Sequence, residues 1–167
     1  MADLPENARG LNPPPFRSET DRERADWMGV LARAPAAALE ARMAALGAAP
    51  AFDWLRRPEF GAVMTRGRVG GGGMAFSLGE MTVTRCALRL AEAPEVVGHA
   101  YVQGREAGKA ERAALADALM QTAAHRGRVS REVVEPLRAE EGARRLSARR
   151  KAGATKVDFF TMVRAEG

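Results

Sequence analysis

The chain has 167 residues, 46% of them apolar and 28% charged, with 26 Lys and Arg against 21 Asp and Glu for a net charge of +5. That length suits one domain with one core. A single cysteine excludes an internal disulfide, no apolar run approaches the ~20 residues of a membrane-spanning helix, and the N-terminus lacks a signal-peptide core, so a cytoplasmic protein is expected. The basic excess admits an anionic partner (nucleic acid, polyphosphate or an acidic protein surface) without choosing among them. Ile is absent and only Lys109, Lys151 and Lys156 are lysines. Such a bias toward Ala and Arg reflects GC-rich coding, which weakens the arginine count as a functional signal.

In chain order, residues 1–19 carry Asn12-Pro13-Pro14-Pro15 and read as a disordered tail ahead of one domain at 20–167. Thr20-x-x-Glu23 reads as a capping box opening a helix with Trp27, Met28 and Leu31 on one side. Pro35 suits the first turn of a second helix, whose Leu39, Met43 and Leu46 recur at helical spacing until Gly47 caps it. The period then becomes two. Gly61–Val69, a glycine turn at Gly70–Gly73, Met74–Leu78, Glu80–Leu90 and Val96–Gln103 predict four strands in an antiparallel meander. Lys109–Ala124 predicts a helix whose alanines let it lie close to a sheet, and another helix follows Gly127 around Pro136. Lys156–Arg164, with adjacent Phe159 and Phe160, has the makeup of a strand with both faces apolar. It is either a central strand of the sheet or keeps one face for another protein. The expected class is α+β, an antiparallel meander plus a C-terminal strand with helices packed on it.

No set of residues completes an active site. Gly67–Gly73 lacks the Lys-Ser/Thr pair of a phosphate loop and precedes a strand instead of a helix. Cys86 shares a strand face with Leu88, as a buried structural thiol would. His99 alternates with Tyr101 and Gln103 on one face, without Cys, Asp or Glu at a ligand spacing. His125 is expected near a helix C-terminus, where a cation complements the dipole. One cysteine cannot hold an iron–sulfur cluster, and two distant histidines make no zinc site. Arg66 with Arg68 and Arg85 with Arg89 form two rows suited to phosphate oxygens, or to the wet face of a half-exposed sheet. They lack the interleaved aromatics of sheet-based RNA readers. A basic nucleic-acid-binding module is thus the alternative reading, resting on charge alone.

Three segments carry more. Gly79-Glu80-Met81-Thr82-Val83-Thr84-Arg85, Gly98-His99-Ala100-Tyr101-Val102-Gln103-Gly104-Arg105 and Val157-Asp158-Phe159-Phe160-Thr161-Met162-Val163-Arg164, with Trp27-Met28-x-Val30-Leu31-Ala32, resemble the PhnG family of the bacterial carbon–phosphorus lyase system from about residue 22 to 164. The chain departs from that family at Glu106, where the family has Asp, and at Lys109, where it has His. The resemblance implies a hetero-oligomer with PhnH, PhnI and PhnJ in which a phosphonate displaces adenine from ATP. It assigns the nucleosidase chemistry to PhnI and the radical step to the iron–sulfur subunit PhnJ. This chain would then be an accessory subunit, with no catalytic residue, metal or cofactor of its own and with ATP and phosphonate reached only through the complex. Arg85, Gln103 and Arg105 are the candidate anion-contacting residues. Phe159, Phe160, Met162 and Arg164 are the candidate core or interface anchors.

Overall fold

The computed structural model describes residues 18–68 and 72–154. Two helices, α1 (Glu19–Arg33) and α2 (Ala36–Ala45), precede three strands, β1 (Phe52–Arg68), β2 (Ala75–Leu90) and β3 (Val97–Gln103). After them come α3 (Ala107–Met120), α4 (Ala123–Val129), a π-helical turn at Ser130–Val134 and α5 (Glu135–Ala154). The strands form one antiparallel sheet in the order β1-β2-β3. The class is α+β as expected, with the helices on one face of the sheet and, among the described residues, the other face bare.

Several elements differ from the sequence-based expectation. The meander has three strands, not four, because the chain continues through Gly79 instead of turning there. Thr65 pairs with Gly79 and Arg66 with Ser77, so Leu78 is an extra residue in a β-bulge, and Gly79 adopts φ +150°, which glycine tolerates best. β1 starts at Phe52, nine residues before the expected Gly61, and carries Pro58 inside it. Pro58 falls within an irregularity between Arg56 and Glu59, where a missing N–H costs no ladder bond. The helix cap is Ser18 with Asp21, each side chain bonded to the other's backbone N–H, and not Thr20 with Glu23. α4 runs through Gly127, and the π-helical turn precedes Pro136, which has no N–H to offer the preceding turn. The candidate C-terminal strand and its anchors Phe159, Phe160, Met162 and Arg164 lie outside the described residues, as does the tail at 1–17.

The most extensive helix–sheet contact is where α3 crosses β3 and β2. Ala110, Ala113, Ala114, Ala116 and Ala118 are all buried, and β3 meets them with Gly98, Ala100 and Val102. A Cβ on Gly98 would lie 2.0 Å from the Ala114 carbonyl oxygen and 2.8 Å from Ala118 Cβ. Only glycine fits between helix and strand at that distance. The expected close approach of an alanine-rich helix is therefore met, and Gly98 is its counterpart in the sheet. Leu88 and Leu90 of β2, Leu31 of α1, Leu39 of α2, and Val133, Val134 and Leu137 close the core.

A carboxylate is buried inside this apolar contact. Asp117 is fully buried on α3 and receives a fork from Arg24 of α1, Nε to Oδ1 at 3.2 Å and Nη2 to Oδ2 at 2.7 Å. Trp27 Nε1 donates to Oδ1 at 2.9 Å, and the His99 backbone N–H donates to Oδ2 at 2.9 Å. Arg24 Nη2 and Gln121 Nε2 both donate to the Val97 carbonyl at 3.0 Å. One side chain thus ties α1, β3 and α3 together. Elsewhere on α1, Asp26 pairs with Arg138 and, at its C-terminal end, Arg33 pairs with Glu141, and those guanidinium groups hold both carboxyls below their ordinary values.

Two substitutions probe this junction. Asp117→Ala leaves the Arg24 guanidinium and the His99 N–H without their acceptor, at an expected cost of about 3–5 kcal/mol. Gly98→Ala forces α3 off the sheet, at an expected cost of about 1–3 kcal/mol or more. Urea denaturation followed by circular dichroism measures both. A midpoint within error of the wild type for either variant contradicts the assignment.

Candidate functional site

The bare face of the sheet gathers Arg85, Arg89, His99, Tyr101 and Gln103 of the sequence-predicted polar residues, whereas Arg66, Arg68 and Arg105 lie on the other side. Side-chain alternation puts Cys86, Leu88 and Leu90 toward the helices, leaving Arg85, Ala87 and Arg89 on the outer side of β2. Opposite them on β3, His99, Tyr101 and Gln103 are exposed, in the predicted row. Arg85 faces Tyr101 on one side and Glu59 on the other. Its Nε donates to Glu59 Oε1 at 2.6 Å, and that carboxylate also takes Arg56 at 3.1 Å. The Glu59 and Tyr101 contacts raise the Arg85 pKa above its ordinary value. Arg89 lies 3.6 Å from Asp53 in the same cross-strand manner.

These pairs limit what the arginine row can do. A guanidinium already facing a carboxylate across the sheet carries little net attraction for a second anion. Arg105 stands apart from the row. It follows Gly104, which turns at φ +87°, and its guanidinium sits 5.2 Å from the centre of the Phe60 ring. Phe60 pairs with Thr84 and shares the inward side of the sheet, so Arg105 lies on the opposite side from Arg85 and Gln103. Among the described residues no carboxylate is in ion-pair contact with Arg105.

The turn that delivers Arg105 is fixed from within. The buried Thr84 hydroxyl donates to the Gly104 carbonyl at 2.6 Å and accepts the Glu106 N–H at 2.9 Å, while the Gly104 N–H donates to the Thr82 carbonyl at 2.9 Å. Lys109, one turn into α3, donates to the Ala32 carbonyl at 2.8 Å. It thereby places a cation at the C-terminal end of α1, where the helix dipole favours one. Burial lowers its pKa.

The remaining candidates are structural. Cys86 is buried and its thiol is pushed up to about 12 by desolvation and the nearby Glu111 carboxylate, so the thiolate nucleophile is suppressed. His125 is in the first turn of α4 and not at a helix C-terminus, because α3 ends at Met120. Its Nε2 lies 2.9 Å from Glu92 Oε1, its side-chain partner. Among the described residues no three His, Cys, Asp or Glu side chains cluster as metal ligands would, and no helix is long and apolar enough to cross a membrane. A cavity of about 360 Å³ between α2, α3 and α4 is lined by Met43, Leu46, Phe52, Leu115 and Leu119 and rimmed by Glu40, Arg112 and Arg128. Its rim cations are likewise neutralised, Arg112 by Glu40 and Arg128 by Glu132.

Residues 22–165 match the model of a protein family described as phosphonate metabolism protein PhnG. The chain belongs to the PhnG family. It is 46% identical, over 149 residues, to the alpha-D-ribose 1-methylphosphonate 5-triphosphate synthase subunit PhnG of Rhizobium meliloti (strain 1021), a match covering 86% of this chain and 90% of that relative. Two segments by which the chain resembles PhnG now have physical content. Trp27 is a donor to Asp117, and Gly98–Arg105 holds both the glycine that admits α3 and the glycine that turns toward it. Asp117 and Glu59 were missed in the sequence. The signal for Asp117 was a lone acid among buried alanines and leucines on one helix, a position that demands a donor set.

The state of Cys86 is directly measurable. The native protein should leave it unmodified by a thiol-specific chromogenic reagent at mildly alkaline pH, with one equivalent reacting after denaturation in guanidinium. Rapid reaction of the native chain contradicts the buried, protonated thiol.

Proposed function

We propose that this PhnG-family chain is an accessory subunit of a phosphonate ribosyl-triphosphate synthase, acting in the cytoplasm with PhnH, PhnI and PhnJ. The synthase joins a phosphonate oxygen to the ribose C1′ of ATP while the bond from C1′ to adenine breaks, and adenine leaves. The observation that carries this reading is the 46% identity to a synthase subunit, extending over most of both chains. The chemistry of the described side chains is consistent with an accessory part. Arg85 and Arg89 on its sheet face are matched by carboxylates and its one thiol is buried. On this reading the chain brings no cofactor of its own, and ATP and phosphonate bind through the assembly. Nothing beyond the net charge supports the nucleic-acid alternative.

Arg85, Gln103 and Arg105 contribute, in this proposal, only where a partner completes their surroundings. Arg105 is the best placed, since its head rests on an aromatic ring and, among the described residues, no carboxylate is in ion-pair contact with it.

Co-expression tests the accessory role. PhnI produced with PhnH and PhnJ but without this chain should be unstable or inactive in adenine release from ATP and methylphosphonate, and adding the chain should restore it. Full activity without the chain removes the proposal. Arg105→Ala in the assembled complex should lower turnover without loss of assembly, whereas loss of assembly makes the residue interfacial.

A further inference from the structure

The sheet outgrows its helical cover. β2 and β3 stop pairing at Val83–Gln103, yet β1 and β2 continue together to Arg68–Ala75. Beyond the core the sheet is therefore a two-stranded arm, Gly61–Arg68 against Ala75–Thr82, and an isolated two-stranded hairpin is marginal in water. Six of the nine large apolar side chains exposed among the described residues lie on or beside this arm: Phe60, Val63, Met64, Met74, Phe76 and Leu78.

The two halves of the outer sheet face are built on opposite principles. Near the core, Asp53 meets Arg89 and Glu59 meets Arg85, a surface suited to water. On the arm, alternation and the bulge bring Val63, Phe76, Leu78 and Met81 to that face with Gly61, Thr65 and Gly67, and no charged residue interrupts them. Leu78 lies flat across Gly67, where a Cβ would come within 2.9 Å of its Cδ1. On the other face, Phe60 and Met64 give way to Arg66 and Arg68 toward the tip. Among the described residues neither arginine has a carboxylate in ion-pair contact, unlike Arg24, Arg33, Arg85 and Arg89.

We infer that this arm is the docking element of the subunit, and that its occupant is a different protein chain presenting an apolar surface bordered by carboxylates. Charge selects the occupant. The arm sets Arg66 and Arg68 against one carboxylate, Glu80 opposite Met64, so a second copy would meet it with a like net charge, and like charges at an interface select against such a pairing. An acidic border on another chain satisfies them and lets the apolar stripe be desolvated, the usual makeup of interface anchors. Two faces that both lack cover among the described residues also favour a cleft that takes the arm between its walls over a flat surface. This inference rests on the reading of the chain as a subunit of the synthase assembly.

The test is co-purification with tagged PhnI co-expressed with PhnH and PhnJ. The wild type and Leu146→Glu, an exposed apolar residue on α5, should be retained. The double variants Phe76→Glu with Leu78→Glu, and Arg66→Glu with Arg68→Glu, should be retained at least about tenfold less, as for interface anchors, while melting as the wild type does. Failure of the wild type to co-purify overturns the subunit reading and the arm proposal with it. Retention of both arm variants at the wild-type level overturns the arm proposal alone. A wild-type dimer by light scattering that the arm variants lose shows a second copy as the occupant and overturns the commitment to a different chain. Should a charged variant fold poorly, Leu78→Cys carrying a photo-crosslinker replaces it, with Cys86 shielded in the core. A crosslink to a partner is expected there and not from Leu146→Cys, and equal yields from both sites overturn the proposal.

Discussion

The fold depends on one buried carboxylate. Asp117 sits on the helix that covers the sheet, and its two oxygens collect a guanidinium and an indole from α1 and a backbone N–H from β3. A charge that deep is tolerated only when paired and fully hydrogen-bonded, and here the donors come from elements 18 to 93 residues away in sequence. Small residues make the contact close enough for those bonds to form. With Gly98 beneath Ala114 and Ala118, the α3 backbone lies nearly on the strand, and the carboxylate reaches the strand's own N–H. Replacing Asp117 by an apolar residue of the same size would remove the charge but also the geometric lock between the three elements.

That arrangement sets how much of the sheet is covered. The junction draws α1, α3 and β3 to one end, so the helices protect β2 from Val83 to Leu90 and leave the β1–β2 extension outside. The uncovered surface is then of two kinds. Near the core, cross-strand ion pairs keep it content in water, and on the arm apolar residues without partners do not. A member of a family whose relative is called a synthase subunit, with an incomplete surface and a suppressed thiol, is physically consistent with work done inside an assembly.

Much of this was legible in the sequence where short-range periodicity governs it. The change from helical to alternating spacing after the second helix, the cap at Gly47, the buried Cys86 and the row of His99, Tyr101 and Gln103 are local patterns, and all appear in the structure, though β1 begins nine residues earlier than the spacing suggests. The misread elements are those in which long-range contact overrides a local sign. Gly79 looks like a turn but is a bulge, because β1 remains paired on either side of it. Gly127 and Pro136 look like breaks, but a π-helical turn accommodates the proline within one continuous run. Thr20 and Glu23 make as good a capping box on paper as Ser18 and Asp21, and spacing alone cannot rank them. Alternation also cannot tell a strand with a covered face from one without, so the exposure of Phe60, Val63, Met64 and Phe76 on the arm is not legible in it. The separation of Arg105 from Arg85 was hidden for a related reason, since Gly104 redirects the chain after the alternating run ends.

The central claim is that a clamped core and an uncovered arm are two energetically distinct parts of one sheet. Amide hydrogen exchange resolved along the chain separates them. In the isolated protein, residues 97–103 and 113–121 should be strongly protected, while 61–68 and 75–82 exchange quickly. On assembly with the partner subunits the slow set should stay as it is and the arm should gain protection. An arm as protected as the core in isolation, or one unchanged by assembly, would contradict the account.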